Sequence, residues 1–308
     1  MRRADLLPSA LALVAGLQIG CETTPYREVT LDLEGGPVVT GSLDRREQAH
    51  RLRFAVAAME SPRGTAAGYA RFLETLGNAL GTEVELVQRR TYREVNDMLA
   101  SGQLDIALIC TGGYFDLRRR APAAFELTAV PVIDGATMYQ SLVIVPAESD
   151  ARRIEDLAGK RFAFTDEISF SGHLYLAGAL RRKGADPERF FGETLYTHSH
   201  DRSVDAVAAG IIDGAAVSSV VYSHQIDRNP SVARRTRVLE RSPSFGVMPV
   251  VVSTRIAPDE RVRIRNVLLG IHLDAVAADA MVFLHIDRFE VPASDLYDSA
   301  AAFAETSE

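Results

Sequence analysis

The 308-residue sequence has no tryptophan, two cysteines and only 7% aromatic residues. Two thiols allow at most one disulfide, so neither a disulfide-stapled scaffold nor a cysteine-rich metal module is available. Positive charge is also short: 34 Lys and Arg stand against 41 Asp and Glu, a formal balance of −7. Binding to a nucleic-acid backbone needs a clustered basic face, and none is visible. The basic groups at Arg118–Arg120, Arg181–Lys183 and Arg234–Arg237 fall where helices are expected to end, and cations favour that end of the helix dipole. Catalytic signatures are missing as well. There is no G-x-S-x-G elbow, no phosphate-binding P-loop, no G-x-G-x-x-G and no H-E-x-x-H, which argues against an enzyme and against a bound cofactor.

A single uninterrupted apolar run opens the chain. "MRRADLLPSALALVAGLQIGC" has a basic start and apolar residues from Leu6 to Leu17, with Gly20 before Cys21. The run is shorter than the ~20 residues of a membrane span, and it reads as an export signal. Its ending resembles a bacterial lipoprotein signal with Cys21 as the lipidated residue, although Gln18 stands where that signal usually has an aliphatic side chain. Residues 1–21 are therefore expected to be a signal and 22–51 a tether with one short hairpin. The working domain is expected in the periplasm or on the outer face of the membrane. Cys110, in the apolar stretch "LDIALIC", then has no partner within the chain; it is either a small buried hydrophobe or a thiol with a task.

Hydrophobic spacing gives the order of elements. "LRFAVAAM" reads as a buried strand, "TAAGYARFLETLGNALG" as a helix, "TEVELVQ" as a strand, "YREVNDMLASG" as a helix and "LDIALIC" as a strand. Further on, "RFAFT", "SGHLYLAGALRRKG", "ETLYT", "DRSVDAVAAG" and "IDGAAVS" repeat the same βαβαβ order. Two such units predict an α/β protein of two lobes, each a mainly parallel sheet with helices on both faces. "TMYQSLVIVPA" and "FGVMPVVVST" would carry the chain across and back as a two-segment hinge. The expected division is 52–141 plus 250–308 for lobe one and 142–249 for lobe two. The tail after Ala257 reads as helical, with a last helix on lobe one.

Ligands in such sheets sit beyond the carboxyl ends of the strands. There, "TDEISFSGHLYL" places Ser169, Ser171 and Gly172 between a strand and a helix start. Hydroxyls and free N–H groups at the positive end of a helix dipole form an anion seat, while plain N-capping by serine explains the same residues without a ligand. "YTHSHDRSV" offers Thr197, His198, Ser199 and His200 after another strand, and "CTGGYFDL" offers Thr111 and the amides of Gly112 and Gly113. His198 and His200 alone are too few ligands for a metal site.

From Leu52 to about Tyr297 the chain resembles the PhnD-like phosphonate- and phosphite-binding solute receptors of ABC transporters, which are type II periplasmic binding proteins. The resemblance rests on "SFSGH", "DLAGKRFAFTD", "HSHDRSVDAVAAGIIDGAAV", "TYREVNDML" and "IDRFEV…LYDS". It implies a clamp around a tetrahedral oxyanion, with Ser169, Ser171, Gly172 and His200 on lobe two, Tyr92 and Thr111 or Tyr114 on lobe one, and Tyr139 and His173 as further contacts. It also implies an ABC permease as partner. Receptors for aminoalkylphosphonates commonly have an acidic residue after the "AAV" strand, where Ser218 and Ser219 stand here, so a plain oxyanion is the better fit. A related branch, the AioX-like arsenic-oxyanion sensors, uses a cysteine in the lobe-one strand-end loop and works with a sensor histidine kinase. Cys110 leaves that alternative open, because thiolate suits a soft ligand.

Overall fold

The computed structural model describes residues 51–304. The expected signal, Cys21 and the tether up to residue 50 lie outside the described residues.

The chain runs β1 (Leu52–Val56), α1 (Pro62–Leu80), β2 (Val84–Val87), α2 (Tyr92–Ala100), β3 (Ile106–Leu108), α3 (Thr111–Arg120) and β4 (Phe125–Ile133). It crosses through β5 (Met138–Tyr139) into β6 (Ser141–Pro146), β7 (Arg161–Phe164), α4 (Tyr175–Arg182), α5 (Pro187–Phe190), β8 (Glu193–Tyr196), α6 (His200–Ala208), β9 (Gly214–Ser218), α7 (Ser219–Arg228), α8 (Pro230–Arg235) and β10 (Thr236–Arg241). It returns through β11 (Phe245–Gly246) to β12 (Val250–Ser253), α9 (Pro258–Gly270), α10 (Ala275–Phe283), β13 (Ile286–Glu290) and α11 (Asp298–Ala304).

Two sheets result, in the orders β13-β4-β12-β3-β1-β2 and β10-β6-β9-β7-β8. In the first, β1 pairs in parallel with β2 and β3; in the second, β7 pairs in parallel with β8 and β9. Both lobes thus contain the βαβαβ unit expected from the sequence, with the first strand of each unit in the middle. These strands are covered on both faces, which is why β1 and β3 are almost continuously apolar and buried. The remaining strands, β4, β12 and β13 in lobe one and β6 and β10 in lobe two, add in antiparallel fashion. The parallel character is therefore confined to the βαβαβ core, because strands entering from the hinge run against it.

β4, β10 and β13 escape the periodicity reading. β4 contains Pro131, which cannot donate to a ladder. β13 follows His285, whose left-handed φ of 54° ends the helical stretch abruptly. The hinge itself is a two-strand ladder, with Phe245 opposite Tyr139 and Gly246 opposite Met138. The last helix departs from its expected place on lobe one alone. Phe303 of α11 packs on Tyr175 of lobe two at 4.9 Å and on Phe245 of the hinge at 5.6 Å, and the Arg182 guanidinium lies 3.8 Å from its ring centre.

Lobe one is fastened around Phe72, which is 1% exposed and meets Phe54 of β1 and Phe289 of β13 at ring separations of 6.5 and 5.9 Å. Truncating such a side chain removes its transfer free energy and leaves a cavity, so Phe72→Ala is expected to cost about 3–5 kcal/mol. Urea unfolding of the mature domain measures this, and a loss below about 1 kcal/mol would place the fastening elsewhere.

Candidate functional site

The carboxyl ends of β1, β2 and β3 face those of β7, β8 and β9 across the cleft, and each end leads into the next helix. α2 begins at Tyr92, fixed by a reciprocal capping box in which the Thr91 side chain accepts from the Glu94 amide and Glu94 accepts from the Thr91 amide. α3 begins at Thr111, with Cys110 as its cap: Sγ accepts from the Gly113 amide at 3.2 Å. Thr111 Oγ1 donates to the Gly246 carbonyl of the hinge at 2.9 Å.

In lobe two, Ser169 caps the turn after β7, its Oγ accepting from the Gly172 amide at 3.1 Å. The helix expected from Ser171 opens instead with one π-helical turn, Phe170–Leu174, marked by the Leu174 amide reaching back to the Ser169 carbonyl at 2.9 Å. Such turns are rare and concentrate at functional sites. Gly172 is required there, since a Cβ would lie 2.5 Å from Thr165 Cβ and Oγ1.

These ends bring most of the expected residues together. Tyr92, Cys110, Thr111, Tyr139, Ser169, Ser171 and His200 are all buried, between 0% and 7% exposed. Ser169 stands beside the Tyr92 hydroxyl, and Thr111 and Ser171 stand beside that of Tyr139. Burial drives the Tyr92 phenol well above its ordinary range, with the neighbouring Cys110 and Asp166 adding to the effect. It pushes the Cys110 thiol up to about 12, despite the opposing amides of Gly113 and Phe170. At neutral pH the cluster therefore presents neutral donors, and none of its members is a lysine or arginine. The Tyr92 hydroxyl is fully buried and makes no well-formed hydrogen bond, although Ser169 stands beside it; a buried polar group left so is costly.

His200, 2% exposed, starts α6. Its Nδ1 accepts from the Ser218 amide at 3.1 Å, with the Thr165 hydroxyl at 3.0 Å. A neutral ring that accepts at Nδ1 has its proton on Nε2, so His200 is a donor. Burial lowers its pKa to about 4, against weaker upward pulls from Asp201 and Glu60.

Two expected contacts are grouped elsewhere. Tyr114 packs in an aromatic set with Tyr297 at 4.8 Å, Phe115 at 5.6 Å and Phe125 at 6.0 Å. His173 lines a separate outer cavity of about 880 Å³, its Nδ1 bonded to the Glu167 carbonyl at 2.7 Å and its ring edge-on to Phe164. Sequence reasoning also passed over Asp166, whereas Ser199 and Ser218 were already marked out by their place after strands. Asp166 accepts from the Tyr92 amide at 3.1 Å and the Ile168 amide at 3.0 Å, and burial raises its pKa in spite of these bonds. Ser199 and Ser218 sit at the caps of α6 and α7 without capping through their side chains, and both hydroxyls are buried and unpartnered. Their position at strand ends was the available signal. Among the described residues no three side chains gather in a way that could hold a metal.

The His200 environment fixes a sign. Because the folded pKa lies below the unfolded value of 6.5, the stability gained from the neutral ring is complete above pH 6.5 and is lost as pH falls toward 4. The melting temperature of the ligand-free protein is expected to drop over that window more steeply in the wild type than in His200→Gln. Parallel curves would remove His200 as the titrating group.

Comparison with known proteins identifies the family and the fold. Residues 54–297 match the family described as ABC transporter, phosphonate, periplasmic substrate-binding protein. A relative named phosphate-import protein PhnD, from Mycolicibacterium smegmatis, is 28% identical over 187 residues, and the match spans 58% of this chain and 58% of that protein. The fold is shared with a binding component of a Pseudomonas aeruginosa phosphonate transporter (TM-score 0.77, 22% identity, covering 84% of this chain and 88% of that one). It is also shared with PhnD1 from Prochlorococcus marinus in complex with methylphosphonate (TM-score 0.73, 18% identity, 82% and 97%). Since the family match takes in well over half of its length, the chain belongs to the periplasmic phosphonate-binding proteins of ABC transporters.

Proposed function

We propose that the protein is an extracytoplasmic receptor that closes two lobes around one small tetrahedral oxyanion, a phosphonate, phosphite or phosphate, and delivers it to an ABC permease. The observation that carries this reading is the Tyr92 hydroxyl, buried without a well-formed hydrogen bond at the junction of the two lobes. A ligand oxygen satisfies it. Ser169, Ser171, Tyr139 and the Nε2–H of His200 complete a donor set to which both lobes contribute, Thr111 lines it while its hydroxyl donates to the Gly246 carbonyl, and the amides at the starts of α3 and the π-helical turn add the favourable end of a peptide dipole. Each lobe alone leaves part of the anion unsatisfied. The closed state is therefore the one that a ligand selects.

The names of the relatives support the same ligand class, one being a phosphate importer and another a protein solved with methylphosphonate. In this reading lobe one is 52–141 plus 250–308 and lobe two is 142–249. Residues 1–21 direct export, and lipid on Cys21 holds the receptor at the membrane.

A second reading has its own observation: Cys110 lies in the same buried cluster as Tyr92 and Tyr139. An arsenite-binding sensor working with a histidine kinase would use that thiol. Against it, the thiol is held neutral and already caps α3 and donates to the Ile168 carbonyl at 3.5 Å.

Calorimetric titration separates these readings. Tyr92→Phe and Ser171→Ala are each expected to weaken phosphite, phosphate or phosphonate binding by about 1.5–3 kcal/mol, the scale of a hydrogen bond to a charged group, while circular dichroism stays unchanged. Undiminished affinity in both folded variants would overturn the site. Cys110→Ser is expected to keep its phosphorus-oxyanion affinity; arsenite binding lost only in that variant would decide for the sensor.

A further inference from the structure

The bonds that close the cleft form a ring around the hydroxyl cluster. On the side of β1, the His200 amide donates to the Met59 carbonyl at 2.9 Å, and the Ser61 amide donates to the Asp201 carboxylate at 3.0 and 3.1 Å. On the side of β2, the Tyr92 amide meets Asp166 at 3.1 Å. On the side of β3, Cys110 donates to the Ile168 carbonyl, and next to it Gly112 comes so close that a Cβ would lie 2.1 Å from that carbonyl oxygen, 2.9 Å from the Phe170 nitrogen and 3.0 Å from Leu174. The hinge, with Tyr139 7% exposed, closes the remaining side. The outer cavity of about 880 Å³ is lined by Gly112 and Ile168, but by none of Tyr92, Thr111, Tyr139, Ser169, Ser171 or His200. The Gly112–Ile168 seam is thus a partition, with the hydroxyl cluster behind it and the open cavity in front.

We propose that this seam sets the size limit of the ligand: Gly112 is a specificity-determining residue, and the seat admits phosphate, phosphite and methylphosphonate while rejecting oxyanions with a longer chain. The inference rests on the receptor reading above. Toward the outer cavity a longer substituent meets the Gly112–Ile168 backbone contact, so in that direction it either keeps the lobes apart or breaks the bonds that ring the site. Interiors packed to this degree do not yield space gradually. The glycine serves the close approach, because the three nearest atoms that its Cβ would meet, on Ile168, Phe170 and Leu174, all belong to lobe two.

The test is calorimetry on the mature domain with phosphate, phosphite and the methyl-, ethyl-, propyl- and butylphosphonate series, paired with small-angle scattering to read closure. The wild type is expected to lose at least about tenfold in affinity, a step of about 1.4 kcal/mol, between methyl- and propylphosphonate. Gly112→Val is expected to keep its melting cooperativity, bind methylphosphonate more weakly, fail to contract on binding, and lose most of the chain-length discrimination. Equal affinity for methyl- and butylphosphonate in the wild type would overturn the size limit and leave the receptor reading standing. So would a Gly112→Val protein that contracts and discriminates as the wild type does. Absence of binding by every one of these anions would overturn the receptor reading itself.

Discussion

The Ile168 carbonyl lies so close to Gly112 that no side chain fits between them, and this contact across the cleft governs what lies behind it. It brings the turn after β3 onto the turn after β7, so the cap of one helix start, Cys110, bonds to the loop that holds the other, Ser169. Both turns are built for close approach. Gly172 lets the lobe-two turn fold against Thr165, and the π-helical turn that follows splays its first amides instead of committing them to an α-helical ladder.

A site that holds an anion with neutral groups has to supply many of them. In the proposed seat, hydroxyls, one imidazole N–H and helix-start amides together replace the water shell of an oxyanion, and the βαβαβ units of the two sheets deliver these groups from opposite sides. The nearby acidic group is Asp166, whose raised pKa follows from burial; one oxygen accepts from the Tyr92 amide across the cleft and the other from Ile168 in its own loop. Beyond the seat, charge serves closure directly. Arg228 of lobe two pairs with Glu60 of lobe one at 3.1 Å. Burial pushes the Glu60 carboxyl up, but His224 and Arg228 outweigh it and hold it below its ordinary value. The strand-end loops and α7 therefore act as a clasp whose parts come from both halves of the chain.

How much of this the sequence disclosed depends on range. The βαβαβ units were legible because strands buried on both faces are nearly continuous apolar runs, such as "LRFAV", broken only by Arg53, and "GAAVS". The antiparallel strands were not, since β4 carries a proline and β10 is mixed in polarity. Of the proposed site, Tyr92, Thr111, Ser169 and Ser171 could be named because strand ends followed by helix starts have local signatures. His173, in the π-helical turn, lines the outer cavity instead of the hydroxyl cluster, a placement that spacing alone does not report. Asp166 was passed over because an acid beside an anion seat has the wrong sign when considered alone. The pairings that close the cleft join residues as far apart as Ser61 and Asp201, and no local pattern reports them.

The most direct measurement is a thermal-shift titration of the mature domain against phosphate, phosphite, methylphosphonate and arsenite. A ligand that binds only the folded state adds about 2.7 kcal/mol at a hundred times its dissociation constant. The account predicts a saturable rise in melting temperature with at least one phosphorus oxyanion, retained in Cys110→Ser. A protein stabilised by arsenite alone, or by none of the four, would contradict it.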